Sequence, residues 1–521
     1  MFNYNFAHLT RCLANFGAEV AFPELAEQAL HKLTNDSRSI AVGDVFCAVI
    51  GQQQDGRKYS ERAVQAGAAC IISECIHPQQ HGKTTQLVIN DESAQTVPVI
   101  HFYRLNEQLF ALAQQYYAQP QTHMTMIGVT GTNGKTSTCL LIAKLFSSLQ
   151  QTSAVIGTIG AGIIEQTESG TERYLRALNN TTPGATELNQ LLAEFAEQQV
   201  INVAMEVSSH ALVQKRLAPR LINIAVFTNL TRDHLDFHQT MEQYAAAKRM
   251  LFTGQAEQVA ILNGDQPQSI VWLESWPVEQ PVIVFGRGEN IVQYPQFIQA
   301  SNINCHATGV DFTLNSHLGS VEITSPLLGE FNVDNLLAAI SVLLAKQQTL
   351  AAISSAVSCL TPIIGRMEKF TAAHKPTAVV DYAHTPDALT NAIHACRAHC
   401  RGELWLVFGC GGDRDQGKRE LMGTIAEQQA DHVVITNDNP RTEAPEMIAQ
   451  AILRGCQHPE RMTIILDRKQ AVISTLSKAK AGDIVLLAGK GHEQYILIGD
   501  KKLPYNERAV VAQYYNQEAW P

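Results

Sequence analysis

Residues 128–138, GVTGTNGKTST, decide the fold of this 521-residue chain. The segment follows an apolar run and precedes a helical pattern, which is typical of a turn between a strand and a helix. Gly131 and Gly134 let the backbone approach a ligand closely, so that amide N–H groups and the start of the helix can face phosphate oxygens. Lys135 would neutralise those oxygens, and the Thr136 hydroxyl would hold Mg²⁺. The segment predicts a phosphate-binding loop, although Val129 stands where the common GxxxxGK[ST] spacing has its first glycine.

The composition is typical of an ordered, globular protein. Hydrophobic residues make up 45% and charged residues 17% of a chain too long for one core, and we expect three domains. The net charge of -10 gives no support for a nucleic-acid or anionic-membrane partner. The 11 cysteines are scattered without a Cys-x-x-Cys pair, which favours a reduced, cytoplasmic setting. No secretory signal is visible, and the longest apolar stretch, 336–345, is about half of the ~20 residues that a bilayer span needs.

Short apolar runs alternate with helical patterns along the chain, which predicts an α/β fold with mainly parallel sheets. We expect an N-terminal domain over 1–112, a central phosphate-loop domain over 113–364 and a Rossmann-like C-terminal domain over 365–521. Strands are expected near 45–50, 70–73, 87–90, 124–129, 201–207, 222–228 and 259–263, and helices near 105–117, 136–149 and 334–347.

The last domain repeats one arrangement four times. An apolar strand runs into a polar, glycine-containing or charged turn in AVVDYAHTPD (378–387), LWLVFGCGGDRD (404–415), HVVITNDNPR (432–441) and IVLLAGKGHE (484–493). In an open parallel sheet, ligands bind at the carboxyl ends of the strands, where these turns would gather. The C-terminal domain is therefore predicted to bind a ligand.

Besides Thr136, three residues of the central domain are candidate metal ligands: Glu206, His234 and Lys248. Glu206 ends the strand INVAMEV and could supply a hard oxygen to Mg²⁺, although a strand-end acid can also be a surface residue. His234, in LTRDHLDFH, would lie near the same sheet edge, where a lone histidine is more often structural.

Lys248 falls on the apolar face of a helix with Met241, Tyr244, Leu251 and Phe252. A buried unpaired ammonium is costly. The side chain could reach water by snorkelling, pair with Glu206, or react with CO₂ to form a carbamate that binds metal. The residues alone favour snorkelling.

Nine motifs together resemble the Mur ligase family over the whole chain and in order. They are GTNGKT, NTT (180–182), EVSSH (206–210), LTRDHLD (230–236), GEFNVDN (329–335), GRME (365–368), DYAHTPD (381–387), GCGGDRD (409–415) and DNPR (438–441). Within that family the pattern looks like members that add meso-diaminopimelate to UDP-N-acetylmuramoyl-L-alanyl-D-glutamate. The resemblance implies that ATP phosphorylates a carboxylate and that an amine then attacks the acyl phosphate, giving an amide, ADP and phosphate.

The resemblance also implies roles for residues around ATP. The expected ATP-binding residues are Gly131, Thr132, Asn133, Gly134, Lys135, Thr136, Ser137, Asn332, Arg366, Asp381 and His384. The catalytic residues would be Lys135, Lys248, Glu206 and His234. By the same resemblance Lys248 is carbamylated to N6-carboxylysine and binds Mg²⁺ with Thr136, Glu206 and His234, which reverses the preference for snorkelling.

For the UDP-substrate, the resemblance implies two groups of contacts. Those in the N-terminal domain are Asn35, Ser37, Gln52, Gln53 and Gln54, and those in the central domain are Asn180, Thr181, Thr182, Ser208, Gln214 and Arg216. The family more often has a hydrophobic residue where Asn35 stands and other residues at Gln52 and Gln54.

Adding diaminopimelate rather than lysine requires recognition of one extra carboxylate. Arginine suits this task, because its planar guanidinium can donate two parallel hydrogen bonds to a carboxylate. Arg441 in DNPR is the candidate, since relatives that add lysine lack this arginine. Without the resemblance, the Asn-Pro turn in this motif would be interpreted as a structural feature. The resemblance gives the amino-acid site as Arg414, Asp438, Asn439, Pro440, Arg441, Gly489 and Glu493.

Two other functions compete with this hypothesis. A folylpolyglutamate synthase-like ligase would share the phosphate loop, but such enzymes lack the N-terminal block and the DNPR turn. A phosphate-loop switch or motor is a different class, and no NKxD motif, helicase-like motif or basic tract supports it. We expect a monomer whose partners are its small-molecule substrates, with no nucleic acid and no membrane insertion.

Overall fold

The computed structural model describes residues 4–51, 54–89, 95–165, 175–306 and 308–516. The chain forms two compact units. The first contains Met1–Met126, Leu178–Ile201 and His210–Leu221, and the second contains Ile127–Ala177, Asn202–Ser209 and Ile222–Pro521. Neither unit is a single continuous segment.

The first unit is built on a five-stranded sheet within its described residues. Its strands, in spatial order, are Leu33–Thr34, Val45–Ala48, Cys70–Cys75, Gln95–Tyr103 and Thr84–Ile89; only the last pairing is antiparallel. The helices are Phe6–Ala14, Ser60–Gln65, Leu105–Tyr116 and Ala185–Glu197, and a short ribbon joins Tyr4–Asn5 to Ala29–Leu30. Ala185–Glu197 packs on Leu105–Tyr116, which explains why a segment so far along the chain belongs to this unit.

The central sheet has ten strands among the described residues. In spatial order they are Gly160–Ile164, Ser153–Gly157, Asn202–Glu206, Thr125–Thr130, Ile224–Phe227, Val259–Asn263, Val282–Gly286, Phe297–His306, Gly309–Ser316 and Gly319–Ser325. Ile224–Phe227, Val259–Asn263 and Val282–Gly286 pair in parallel with their neighbours, whereas the outer strands at both ends are antiparallel. The helices are Lys135–Ser148, Ser209–Val213, Leu235–His238, Met241–Arg249, Pro267–Leu273, Phe331–Ala345 and Leu350–Ser358.

The helix Phe331–Ala345 packs against Lys135–Ser148 and forms the largest apolar core with the sheet. The phosphate loop therefore joins a buried strand to a buried helix.

The C-terminal sheet has six strands in the part of the chain that the structure describes. They run in the spatial order Glu368–Phe370, Thr377–Asp381, Ile484–Ala488, Leu404–Phe408, His432–Ile435 and Thr463–Ile464, and all pairs are parallel except the first. Pro386–Arg397, Gly417–Gln429 and Pro445–Leu453 cover one face, and Arg468–Lys478 and Glu507–Tyr515 cover the other. A hairpin of Tyr495–Ile498 and Lys501–Pro504 follows the last long strand.

The predicted α/β class with parallel sheets is confirmed, and helices on both faces give the C-terminal sheet a doubly wound arrangement. The division into three domains with limits at 112 and 364 stays a prediction. None of the described helices combines the length and apolar character needed to cross a bilayer.

A buried ion pair joins the turns at the carboxyl edge of the C-terminal sheet. Arg468 and Glu507 are fully buried, and the guanidinium donates two hydrogen bonds to the carboxylate at 2.5 and 2.8 Å. Arg468 also donates to the carbonyl oxygens of Asn437 and Ala488, at 2.9 and 2.8 Å. It thus fixes the ends of two strands, His432–Ile435 and Ile484–Ala488, that lie on either side of Leu404–Phe408.

We expect Arg468→Met to lower the free energy of unfolding by about 3–5 kcal/mol, because it leaves the Glu507 carboxylate buried without its cation. Urea unfolding measures this loss. The control is Arg454→Met, since the ion pair of Arg454 with Glu420 is exposed. Equal stability of the two variants would contradict the role of the buried pair.

Candidate active site

The phosphate loop begins where the strand Thr125–Thr130 ends and leads into the helix Lys135–Ser148. Its glycines are needed for two reasons. Gly131 and Gly134 have φ values of 152° and 83°, in the region that favours glycine. A Cβ atom at Gly131 would lie 1.9 Å from Thr228 Oγ1, and one at Gly134 would lie 2.4 Å from Asn335 Oδ1. Thr228 and Asn335 therefore lie too close to the loop for a Cβ atom at either position. These are the two glycines at which the sequence predicted close approach of the backbone to a ligand.

We expect Gly131→Ala to weaken ATP binding and to lower the melting temperature, because overpacking of about 1–3 kcal/mol adds to the backbone strain. Gly482→Ala is the matched control: Gly482 has a φ of 99°, and a Cβ there would meet no described atom within 4 Å. The control should lose only the cost of its conformation, about 1 kcal/mol. Calorimetry and an ATP titration compare the two, and equal losses would contradict the steric argument.

Lys135 folds back over the loop. Its ammonium donates to the carbonyl oxygens of Gly131 and Thr132, at 3.0 and 2.8 Å. Burial lowers the pKa of this lysine, an effect that the nearby carboxylates of Glu206 and Asp233 oppose. The ammonium lies at the loop where the sequence predicted that it would neutralise phosphate.

Thr136 and Glu206 lie in direct contact. The Thr136 hydroxyl donates to Glu206 Oε1 at 2.9 Å, and Glu206 is 1% exposed. The backbone N–H and hydroxyl of Thr158 also donate to this carboxylate, at 2.7 and 3.1 Å. Gly157 makes room for the carboxylate, since a Cβ there would lie 2.3 Å from Oε1. Hard oxygen atoms, the donors that Mg²⁺ prefers, thus meet at the carboxyl ends of two adjacent strands.

Lys248 is buried, with 1% of its surface exposed. Its Nζ donates to the Gly131 carbonyl oxygen at 2.7 Å and lies 4.1 Å from the centre of the Tyr244 ring. Snorkelling, the interpretation that the residues alone favoured, is therefore wrong: the helix is covered on this side by the phosphate loop. Burial, reinforced by the charge of Lys135, lowers the pKa of Lys248 well below its usual range. This shift favours the neutral amine, the form that can add to CO₂.

His234 lies at the start of the short helix Leu235–His238, with a φ of 55°. Its Nε2 is 3.4 Å from Asp233 Oδ2, and its ring is edge-on to Tyr244 at 6.1 Å. Tyr244 thus borders both Lys248 and His234. No group of three His, Cys, Asp or Glu side chains that could hold a metal is found in the described ranges. The predicted metal set includes only two such residues, Glu206 and His234, and a carbamate on Lys248 would add a second carboxylate-like group.

Asn332, one of the predicted ATP-binding residues, lies on the helix Phe331–Ala345 and is 6% exposed. Its amide donates to the Leu328 carbonyl oxygen at 2.8 Å and accepts from Asn335 at 3.0 Å. Asn335 in turn accepts from the Thr138 hydroxyl at 3.3 Å. Asn335, which the sequence reasoning missed, therefore connects this helix to the phosphate loop; its place three residues after Asn332 was the available signal.

Arg366 extends from the C-terminal sheet to the phosphate loop. Its guanidinium stacks over Tyr382 at 4.4 Å and donates to the Thr136 hydroxyl at 3.0 Å. Its buried Nε has no hydrogen-bond partner among the described residues, and neither has Nδ1 of His492, whose ring lies 5.1 Å from Tyr382. Burial, followed by the charge of Arg366, lowers the pKa of His492 to about 3. Two buried nitrogen atoms of residues beside Tyr382 are thus without a hydrogen-bond partner among the described residues.

Asp381 and His384 are buried on the turn after the strand Thr377–Asp381. The Asp381 carboxylate accepts from the N–H groups of Met367 and Ala383, both at 2.8 Å, while burial raises its pKa. Burial, followed by the charge of Lys418, lowers the pKa of His384 to about 4. Asp381 thus holds the chain beside Arg366 in place, and His384 is a neutral hydrogen-bonding group.

Four further contacts join the central and C-terminal sheets within the second unit. The Asn133 amide accepts from the Thr385 hydroxyl at 3.1 Å and donates to Asp387 at 3.0 Å. Ion pairs link Arg232 to Asp415 at 3.1 Å and Lys418 to Asp233 at 3.6 Å. The motifs TRDHLD, DYAHTPD and GGDRD, distant in sequence, therefore meet at the phosphate loop.

Most of the residues predicted to hold the UDP-substrate lie in the first unit. Asn35 Oδ1 accepts from the Thr186 hydroxyl at 3.1 Å, and Arg216 donates to the Thr182 carbonyl oxygen at 3.0 Å and to Gln214 Oε1 at 2.6 Å. Ser37, Gln54, Asn180 and Thr181 belong to the same unit, and Ser208 belongs to the second. Gln52 and Gln53 lie outside the described residues.

The residues predicted to bind the amino acid meet at the carboxyl edge of the C-terminal sheet. The Asn439 amide donates to Glu493 Oε2 at 2.9 Å. Arg441, with a φ of 53°, donates to the Gly412 carbonyl oxygen at 2.8 Å. Asp438 Oδ2 has no hydrogen-bond partner in the described part of the chain, and a Cβ at Gly489 would lie 2.5 Å from it. Pro440 is buried beside this cluster and Arg414 is exposed at its rim.

Sequence reasoning missed one charged residue here, Lys490, which is 0% exposed and bonds to both Asn439 and Glu493. Its place in GKGHE was the available signal. Thr158, Tyr244 and Tyr382 were missed as site residues as well: Tyr244 was assigned to the apolar face of its helix, Tyr382 lies within DYAHTPD, and Thr158 lies outside the nine motifs.

Comparison with known proteins gives matches along the whole chain. The family models Mur ligase family, catalytic domain, Mur ligase middle domain, and Mur ligase, glutamate ligase domain match residues 29–117, 129–343 and 365–491. The solved structure of a UDP-N-acetylmuramoyl-L-alanyl-D-glutamate–2,6-diaminopimelate ligase is 32% identical, with a TM-score of 0.61 over 99% of each chain.

Two more distant structures share the fold. MurF from Acinetobacter baumannii is 16% identical over 94% of this chain and 96% of its own, with a TM-score of 0.65. Folylpolyglutamate synthase from Mycobacterium tuberculosis, solved with ADP and AMPPCP, is 20% identical over 73% of this chain and 91% of its own, with a TM-score of 0.58.

Proposed function

This chain belongs to the Mur ligase family, and we propose that it adds meso-diaminopimelate to the D-glutamate of UDP-N-acetylmuramoyl-L-alanyl-D-glutamate, in peptidoglycan synthesis. ATP would phosphorylate the D-glutamate carboxylate, and the amine would then displace phosphate from the acyl phosphate. The products are the UDP-N-acetylmuramoyl-tripeptide, ADP and phosphate. The observation that carries the choice of amino acid is the cluster of Arg441, Asn439 and Glu493 at the carboxyl edge of the C-terminal sheet.

Phosphoryl transfer needs cations and donors that face the phosphates. The loop from Gly131 to Ser137 offers backbone N–H groups at a helix start, and Lys135 brings a positive charge. Arg366 adds a guanidinium whose Nε is open to a ligand. We assign Asn332 to the adenine, and Asp381 and His384 to the ribose and triphosphate.

The oxygen atoms of Thr136 and Glu206 fit Mg²⁺, and we assign them to it together with His234 and a carbamate on Lys248. When bound, the ion supplies positive charge to the phosphates as the bond to the γ-phosphoryl group breaks. The burial of Lys248 and its lowered pKa support its conversion to N6-carboxylysine, because only an unprotonated amine adds to CO₂.

The amino-acid substrate has two charged ends for the C-terminal cluster to recognise. We assign the distal carboxylate of diaminopimelate to Arg441 and Arg414, and the distal ammonium to Glu493 and the Gly489 backbone. Asp438, Asn439 and Pro440 shape this site. On the first unit, Asn35, Ser37, Gln54, Asn180, Thr181, Thr182, Gln214 and Arg216 are assigned to the UDP-substrate, with Ser208 on the second.

We also propose that the chain has three domains, divided at 112 and 364, that it is a monomer and that it is located in the cytoplasm. All eleven cysteines are free thiols, which suits a reducing compartment.

The reaction class is tested by measuring phosphate release with each co-substrate left out in turn. A ligase of this kind turns over ATP steadily only when both co-substrates are present, because the UDP-dipeptide forms the acyl phosphate and the amino acid consumes it. Steady ATP hydrolysis without either co-substrate would contradict the proposal and favour a phosphate-loop switch or motor.

A further inference from the structure

Lys490 is a fully buried cation within the amino-acid cluster. Its Nζ donates to Asn439 Oδ1 at 2.8 Å, to Glu493 Oε2 at 2.9 Å and to the Tyr495 carbonyl oxygen at 3.0 Å. The side chain is 0% exposed, so its ammonium is enclosed by these partners and does not face solvent. A buried ammonium is stable only when such acceptors surround it, and here two of the three acceptors belong to residues assigned to the substrate.

The ammonium fixes which way the Asn439 amide points. Lys490 has only donors, and the Leu497 backbone N–H, 2.8 Å from the same Asn439 atom, is also a donor. The atom that faces both must therefore be the amide oxygen. The amide nitrogen is then directed to Glu493, at 2.9 Å, and its second hydrogen remains for a ligand.

Lys490 also balances the negative charges of the cluster. Its Nζ lies 3.8 Å from Asp438 Oδ1 and 2.9 Å from Glu493 Oε2. Although burial favours the neutral acid at Asp438, the positive charges of Lys490 and Arg468 hold the pKa of Asp438 below its usual range. Lys490 therefore offsets the negative charge of the two carboxylates that lie beside it.

The same residue connects the cluster to the hairpin Tyr495–Ile498 and Lys501–Pro504. Lys490 donates to the Tyr495 carbonyl oxygen of the hairpin. The hairpin in turn makes two backbone hydrogen bonds with Arg441. The Arg441 N–H donates to the Leu497 carbonyl oxygen at 3.0 Å, and the Gly499 N–H donates to the Arg441 carbonyl oxygen at 2.7 Å. The position of the Arg441 backbone thus depends on the hairpin, which Lys490 holds in place.

We propose that Lys490 is a positioning residue that sets recognition of the amino-acid substrate by orienting the Asn439 amide, the Glu493 carboxylate and the hairpin behind Arg441. It acts through these groups and does not touch the substrate. This inference rests on the proposed function, since it needs the amino acid to bind at this cluster.

The test measures the KM for each of the three substrates in Lys490→Met. This substitution removes the donors and the charge but keeps the length of the side chain. We expect the KM for meso-diaminopimelate to rise about tenfold or more, because hydrogen bonds to charged groups are lost, while the KM values for ATP and the UDP-dipeptide change by less than about twofold. Lys490→Gln, which keeps one N–H donor group, serves as a second variant, with the same rise expected.

Lys144→Met is the matched control. Lys144 is also a buried lysine, 4% exposed, and it bonds to Thr361 Oγ1 at 3.1 Å, away from the cluster. This variant should lose thermal stability with all three KM values unchanged. An unchanged KM for meso-diaminopimelate in a folded Lys490 variant would overturn the inference, as would failure of both Lys490 variants to fold when Lys144→Met folds. If the unmodified enzyme does not use meso-diaminopimelate, the proposed function itself is wrong.

Discussion

Lys248→Met is expected to lower kcat by about 100-fold or more, because it removes a group that holds the metal ion. The methionine keeps the length and apolar packing of a residue that is 1% exposed, but it cannot form a carbamate. The KM for meso-diaminopimelate should change little, since Lys248 contacts the phosphate loop at Gly131. Initial rates of phosphate release with all substrates present measure the effect.

Two controls separate the carbamate from a merely structural lysine. Lys144→Met removes another buried lysine of the central sheet region and should keep kcat within about twofold. In Lys248→Ala, which leaves room beside the loop, added acetate should restore part of the rate by supplying the missing carboxylate. Intact-protein mass spectrometry of the unmodified enzyme should show the added mass of one CO₂. A kcat for Lys248→Met close to that of the unmodified enzyme would contradict the assignment.

Arg441→Ala is expected to raise the KM for meso-diaminopimelate by about 30-fold or more, which corresponds to the ~2–5 kcal/mol lost when one partner of a buried charge pair is removed. ATP binding should be nearly intact, because the Arg441 guanidinium donates to Gly412 and Asn439 within the C-terminal cluster. Steady-state kinetics with each substrate varied in turn measures the split.

The variant Arg441→Lys tests the geometry of the contact, since it keeps the charge but not the planar fork, and it should recover only part of the lost affinity. Arg454→Ala is the control at an exposed arginine, whose partner is Glu420. A KM for meso-diaminopimelate that is the same in Arg441→Ala and Arg454→Ala would contradict the role of Arg441.

The elements with strong local patterns were predicted well from the sequence. The strand expected at 124–129 is Thr125–Thr130, and the helix expected at 136–149 is Lys135–Ser148. The four strands expected in the last domain are Thr377–Asp381, Leu404–Phe408, His432–Ile435 and Ile484–Ala488. These predictions succeeded because each segment is an apolar run that ends at glycine or a charged turn, a signal contained in neighbouring residues.

The contacts between distant segments could not be predicted in the same way. The hydrogen bonds that Glu206 accepts from Thr136 and Thr158 depend on which strands are neighbours, and the burial of Lys248 depends on the loop that covers its helix. Periodicity placed Lys248 on an apolar face but could not show what packs there. Ala185–Glu197 likewise joins the first unit through packing on Leu105–Tyr116, which chain order does not reveal.

The central claim is that this ligase adds meso-diaminopimelate, and one comparison tests it most directly. Phosphate release and product mass are measured with ATP and UDP-N-acetylmuramoyl-L-alanyl-D-glutamate, with either meso-diaminopimelate or L-lysine as the amine. We predict the tripeptide product with meso-diaminopimelate and a much lower rate with lysine, because lysine lacks the carboxylate that Arg441 and Arg414 are expected to bind. Activity with lysine and none with meso-diaminopimelate would contradict the account.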